Sequence, residues 1–198
     1  MSKINVNERY IPLFQGNTRY YVVTGGRGSG KSFAVNLFLN SLTYEGGHKV
    51  LFTRYTMTSA HTSIIPEFVD KIDLMGASDD FRVTRDEIIN MHTESAIMFK
   101  GIRTSSGNQT AALKSLAGVT TFVVDEAEEL VDEEIFDKID LSVRSNKAMN
   151  RVILILNPTT KEHWIYKRFF ESRGIESGWN GVHKDTTYIH TTYKDNKE

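Results

Sequence analysis

Gly25, Gly26, Gly28 and Gly30 crowd into the segment GGRGSGKS, and Lys31 and Ser32 close it. A structural turn needs one or two glycines. Four at this density, followed by a cation and a hydroxyl, suit a backbone that must come close to an anion. Glycine permits positive φ and leaves no β-carbon between main-chain N–H groups and phosphate oxygens. Successive N–H groups in such a loop form an anion-binding nest. A helix that starts there adds its N-terminal donors and the positive end of its dipole. Gly25-x-x-x-x-Gly30-Lys31-Ser32 has the spacing of a phosphate loop, in which Lys31 reaches the β- and γ-phosphates and the Ser32 hydroxyl ligates Mg²⁺. The bland alternative is a flexible loop with an incidental lysine. The apolar runs on either side favour the cradle, with Gly25, Gly26, Arg27, Gly28, Ser29, Gly30, Lys31 and Ser32 as its residues.

A second constellation lies in TFVVDEAEEL. Phe122–Val124 are apolar and Asp125 ends the run, the arrangement in which an aspartate holds Mg²⁺ directly or through water. Glu126 follows at once. In P-loop ATPases with an additional strand and a catalytic glutamate, that carboxylate polarises the attacking water. The competing reading is one more acid at a helix N-terminus, and it is the one adopted for Glu128, Glu129, Asp132, Glu133 and Glu134. Asn157 ends the apolar run RVILILN. Its amide can donate and accept, so it can sense a γ-phosphate or its water; Asn-Pro is also an ordinary turn starter. Arg27 inside the loop can neutralise transition-state charge or simply face solvent.

Four further cations have open assignments. Arg54 follows a strand and faces the nucleotide, a neighbour or, as an ordinary surface arginine, solvent. Arg103, Lys114 and Arg144 are candidates for a finger donated to a neighbouring subunit. Ahead of the loop, Tyr10, Phe14 and Gln15 offer an aromatic face and an amide edge for adenine. Phe14 reads better as a packing residue; Gln15 is the binding candidate.

These groups need elements to hold them. Tyr20–Thr24, 49–54, 120–126, 151–157 and 186–193 read as strands, several of them apolar throughout. Such strands are covered on both faces, as in a parallel sheet flanked by helices. The helices expected are Ser32–Leu42 ending at Gly46-Gly47, Ser63–Leu74 with Pro66 beginning or bending it, Leu130–Ser142 with Val131, Ile135 and Ile139 on one face, and 162–172. Residues 81–102 alternate and break, so antiparallel strands are expected there, then a loop over 104–113. The fold class is α/β: a P-loop NTPase of the additional-strand, catalytic-glutamate type with a mostly parallel sheet.

Composition narrows the rest. The chain has 198 residues, a net charge of −1 and no cysteine, which excludes disulfides and thiolate metal sites. No apolar run approaches the roughly 20 residues that span a bilayer. The start, MSKINVNERYIPLF, lacks the apolar core of a signal peptide. The six histidines have no ligand-like spacing and read as surface or satisfied core residues. With no global basic excess, contact with nucleic acid requires a local patch, for which Lys161, Lys167 and Arg168 are candidates, though a solvated helix face is the better reading.

GGRGSGKS, SLAGVTTFVVDEAEEL and ILNPTTKEHWIYKRF together resemble the large terminase subunit of tailed bacteriophages. The resemblance runs over nearly the whole chain. It implies an ATP-hydrolysing motor that threads double-stranded viral DNA into a procapsid in the host cytoplasm, working as a homo-oligomeric ring with the portal protein and the small terminase subunit. Carried over, Lys31 and Ser32 bind phosphate and Mg²⁺, Asp125 holds the metal, Glu126 activates water and Arg27 contacts the γ-phosphate in cis. Asn157-Pro158-Thr159 takes the place of the coupling motif, with fewer small hydroxyl and glycine residues than usual. The family's second, nuclease domain is not expected within residues 1–198, which read as a single ATPase domain. Another DNA-dependent P-loop ATPase, a helicase or recombination enzyme, shares every catalytic element. A small-molecule kinase should carry an arginine-rich lid, and a non-hydrolysing module would not depend on Glu126. NKAM lacks the aspartate of a guanine-reading Asn-Lys-x-Asp.

Overall fold

Apolar runs without alternation must bury both faces, and the central strands of this chain do. The computed structural model describes residues 4–57, 60–103 and 116–195. Among them nine strands form one sheet: β1 (Tyr20–Gly25), β2 (Lys49–Thr56), β3 (Phe81–Val83), β4 (Glu87–Asn90), β5 (Ala96–Arg103), β6 (Thr121–Val124), β7 (Arg151–Leu156), β8 (Gly181–His183) and β9 (Thr186–Thr191). Their order across the sheet is β3-β4-β5-β2-β6-β7-β1-β9-β8. From β5 to β9 in that order every pairing is parallel. The hairpin pairings β3–β4, β4–β5 and β8–β9 add antiparallel margins.

Helices cover both faces: α1 (Ile11–Gln15), α2 (Lys31–Leu42), α3 (Ala60–Ser63), α4 (Ile65–Leu74), α5 (Glu133–Asp140) and α6 (Trp164–Phe169). Successive strand residues point to opposite faces, so each parallel strand feeds two cores. Val23, Phe52, Val123, Ile153 and Ile155 pack with Val35, Leu39 and Phe68 of α2 and α4. Val22, Leu51, Phe122, Leu154 and Leu156 pack with Phe136, Ile139, Ile165 and Phe169 of α5 and α6.

Several boundaries differ from expectation for local reasons. Asp132 caps α5 by accepting the Glu134 N–H at 3.0 Å, so the helix starts at Glu133 and not at Leu130. Val131 lies outside it and is 72 % exposed, while Phe136 is fully buried in its place. Pro66 sits in the first turn of α4, after the separate short α3, where its missing N–H costs nothing. Helix α2 ends at Leu42, ahead of the glycine pair, and α6 stops at Phe169 before a 3-10 turn over Glu171–Arg173. The edge strand β8 has too few residues for its pattern to announce it. The loop expected over 104–113 falls outside the described residues.

Candidate active site

Parallel strands in register end along a common edge, and loops at the carboxyl ends of such strands are where α/β sheets bind ligands. Here Thr24 is level with Leu156, Leu154 with Val124, and Val124 with Thr53. The residues that follow β1, β7 and β6 are therefore neighbours: the glycine loop, Asn157 and Asp125-Glu126. Arg54, near the end of β2, joins them. β7 lies between the glycine-loop strand and the acid strand. A cavity of about 330 Å³ opens at this edge. Arg27, Gly28, Ser29, Gly30, Lys31 and Ser32 line it together with Arg54, Asp125, Glu126, Glu128 and Asn157.

The loop is shaped from both sides. Gly30 caps α2 in the left-handed region, at φ 83°, where a β-carbon would be strained. Gly25 has a different reason to be glycine: a β-carbon there would lie 2.3 Å from the Thr191 carbonyl oxygen at the end of β9. Gly25 and Gly26, expected in the cradle, lie outside the cavity lining, and a β-carbon at Gly26 would meet open space. Tyr10, buried, donates its hydroxyl to the Ser29 carbonyl at 2.8 Å and meets the Thr191 hydroxyl at 2.6 Å. Lys31 Nζ donates to the carbonyls of Gly25 (2.6 Å) and Gly26 (2.8 Å) and to Asn157 Oδ1 (3.3 Å). Burial lowers the Lys31 pKa, against the opposing pull of Glu128 and Asp125.

The acid side is as closely tied. Asp125 is 5 % exposed, and its Oδ2 takes Arg54 Nε at 2.8 Å and Nη2 at 2.7 Å. Arg54 Nε also lies 3.8 Å from Glu126 Oε2. Burial pulls the Arg54 pKa down and the charges of Asp125 and Glu126 more than restore it. Glu126 adopts φ 54°, ψ 45°, a left-handed backbone that costs a non-glycine residue about 1–2 kcal/mol. Desolvation raises its pKa despite Arg54, with Asp125, Glu129 and Glu128 adding to the rise. Glu126 is in consequence a more basic carboxylate than usual, placed by a strained turn on the lining of the cavity.

Two groups at this edge are not legible in the sequence. Arg54, open there between nucleotide, neighbour and solvent, lies between the two carboxylates. Glu128 resembles its acidic neighbours, yet its Oε1 accepts the Asn157 side-chain N–H at 2.7 Å and its Oε2 the Asn157 backbone N–H at 3.3 Å. Local signals hide both, because each contact depends on strand adjacency. His163, ordinary by its spacing, caps α6 by accepting the Ile165 N–H at 3.2 Å on Nδ1. That leaves the ring proton on Nε2 to donate to the Glu128 carbonyl at 3.1 Å.

Other expected residues lie elsewhere. Gln15 is exposed at the end of α1 and does not line the cavity. Tyr10 is buried beneath the loop, and Phe14, partly exposed, meets the Phe38 ring edge-on at 5.4 Å; neither lines the cavity. Arg27 is exposed at the cavity. Arg103 ends β5 at the same edge and is exposed, whereas exposed Arg144 lies at the opposite edge, near Gly118 and Ser142. Lys114 falls outside the described residues. Arg168 is held by Asp137 at 2.6 Å and Glu133 at 3.2 Å, which removes it from the cations available to nucleic acid.

A phosphate loop, an acid pair two strands away and a polar strand end between them define a P-loop NTPase with the additional central strand. The chain belongs to the family described as phage terminase large subunit, whose model matches residues 17–197. Comparison with curated proteins gave no match. Among solved structures it is similar to the large terminase of a thermophilic bacteriophage, with 12% identity, a TM-score of 0.73, and 98% of this chain aligned to 47% of that one. That thermophilic phage protein has also been solved in complex with ADP and with ATP-γ-S. The N-terminal domain of the DNA packaging ATPase from bacteriophage phi29 aligns over 91% of this chain and 93% of its own, with 13% identity and a TM-score of 0.65. The ATPase domain of the Thermus phage P74-26 large terminase aligns over 94% and 80%, with 15% identity and a TM-score of 0.62. The chain spans about half the length of the thermophilic phage terminase.

Proposed function

We propose that this chain is the ATP-hydrolysing motor domain of a DNA-packaging terminase, driving double-stranded viral DNA into a procapsid in the host cytoplasm. One observation carries the reading: a single cavity brings Lys31 and Ser32 together with Asp125 and Glu126 across one intervening strand. In this reading the loop amides and the start of α2 take the β- and γ-phosphates, and Lys31 exchanges carbonyl partners for phosphate oxygens. Glu126 orients the attacking water, and Arg27 at the rim meets charge on the γ-phosphate.

The donor set suits magnesium. Asp125 offers a hard carboxylate and Ser32 a hydroxyl on the same cavity. Among the described residues no group of three His, Cys, Asp or Glu makes a metal site by itself, in keeping with a cation that draws its remaining ligands from phosphates and water. Asp125 and Ser32 would hold it, and when bound it would neutralise charge on the phosphates.

The phi29 neighbour was solved as a viral genome packaging motor assembly, which supports an oligomeric motor here; the homo-oligomeric ring, the portal and the small terminase subunit are what the family resemblance adds to this reading. Arg103, on the site's own edge, is the better placed of the two described trans candidates. The test is phosphate release from ATP by the chain, together with nuclease protection of DNA packaged by the assembled motor. Lys31→Ala is expected to lower both by at least about 100-fold, the scale of losing a charge from a phosphoryl-transfer site. Unchanged phosphate release in Lys31→Ala would overturn the reading.

A further inference from the structure

We propose that Glu128 is a positioning residue that sets which way the Asn157 amide faces and ties that choice to helix α6. The inference rests on the reading of the cavity as an ATP site.

A carboxylate only accepts hydrogen bonds. With Glu128 Oε1 2.7 Å from the Asn157 amide nitrogen and Oε2 3.3 Å from its backbone nitrogen, both nitrogens of Asn157 are held on one side. The amide oxygen is thereby turned toward the loop, where it accepts from Lys31 Nζ at 3.3 Å. In this state Asn157 presents an acceptor to the phosphate position. An acceptor suits a site in which Lys31 has no γ-phosphate. A γ-phosphate that takes over Lys31 leaves the amide oxygen facing another anion. The amide is relieved by turning its N–H₂ inward, and that turn breaks the bond to Glu128.

The other end of Glu128 is anchored to α6. Its carbonyl accepts from His163 Nε2 at 3.1 Å, and two residues on, the Leu130 carbonyl accepts from Trp164 Nε1 at 2.6 Å. Burial lowers the His163 pKa, more than the Glu128 carbonyl and charge raise it, in keeping with a neutral ring and a fixed Nε2 proton. The 3-10 turn Ala127–Glu129 therefore touches the phosphate site through one side chain, and it and Leu130 touch α6 through two carbonyls. Release of Asn157 frees the carboxylate end of this turn and changes what holds the first turn of α6.

Trp164 is 7 % exposed and lies 4.7 Å from the Phe136 ring, so its emission reports that turn. In a Trp179→Phe background Trp164 is the sole tryptophan of the two in the chain. Saturation with ATP-γ-S and magnesium is expected to shift its emission relative to the ADP complex. In Glu128→Ala the difference between the two complexes is expected to vanish, while ADP binding, measured by calorimetry, is no weaker than in the parent because a negative charge has left the phosphate site. Glu128→Gln, which keeps one acceptor oxygen, restores part of it. In ATP turnover, Glu128→Ala in an Asn157→Ala background has no further effect, whereas alone it lowers kcat about tenfold, as for a lost hydrogen bond to a charged group. A full Trp164 difference in Glu128→Ala, or additive losses in the double variant, overturns the proposal. Failure of the parent chain to bind ADP would instead overturn the ATP-site reading beneath it.

Discussion

Arginines and acids cluster twice in this domain, to opposite ends. At the carboxyl edge of the sheet, Arg54 bridges Asp125 and Glu126 beside a cavity. Behind α5, Arg19 donates to Asp140 Oδ1 at 2.6 Å and to the carbonyls of Asp140 and Val143, each at 2.8 Å, while Tyr20 donates to Asp140 Oδ2 at 2.7 Å. Arg168 completes that second cluster from α6, its guanidinium 5.1 Å from the centre of the Phe136 ring. In the rear cluster these charged groups find their partners within the fold. In the front cluster a backbone is left-handed, a carboxylate is made more basic, and the groups share a space large enough for phosphates. Charge pairing alone does not mark a functional site. Pairing combined with strain and room does.

Substitutions should separate the two clusters cleanly. The largest effect is expected from Glu126→Gln, which keeps the shape of the side chain and removes its basicity. ATP turnover should fall by about 10²–10⁴-fold, the range for a lost general base, while ADP binds as before. Equal loss of binding and turnover would place Glu126 among the structural acids. Next is Asp140→Ala, which strands Arg19 and Tyr20. It should cost about 3 kcal/mol of stability, a decrease of roughly 6–12 °C in Tm, with ADP affinity unchanged. A loss of nucleotide binding without a loss of stability would erase the distinction between the clusters.

The smallest effect concerns pH. Glu126 has its pKa raised in the folded chain, first by desolvation. Ionising it therefore disfavours folding: the stability it contributes is present below the ordinary carboxylate range and lost as pH rises through its folded pKa. Glu126→Gln should accordingly raise Tm at pH 7 by no more than about 2 °C, the scale of a partly exposed substitution. The gain should fade toward pH 4, where the parent's carboxyl is protonated as well. A constant gain across that range would remove titration as its cause.

How far the site can be read from the chain depends on whether each feature is local. The glycine loop, Asp125 and Asn157 announce themselves by types and spacings within a few residues. The layered parallel sheet follows from apolar runs, since burial on two faces leaves no alternation. Glu128 does not stand out, because further acids within a few positions make it look like a solvated face, and its partner is 29 residues on. The place of Arg54 at a strand end leaves its role open; only the adjacency of β2 and β6 brings it to Asp125. Gln15 draws attention by type, but α1 ends with it facing out. Val131 extends a helical spacing and so misplaces the start of α5, although Asp132 followed by Glu133 and Glu134 is the stronger start signal.

Tyr10 and Thr191 grip the back of the glycine loop from opposite ends of the sequence. On a ribosome the loop emerges early, but the last of its supports is synthesised only when residue 191 has been added. The back of the loop therefore rests on a contact between residues 181 positions apart, so a chain interrupted before residue 191 lacks that brace whatever its glycines allow.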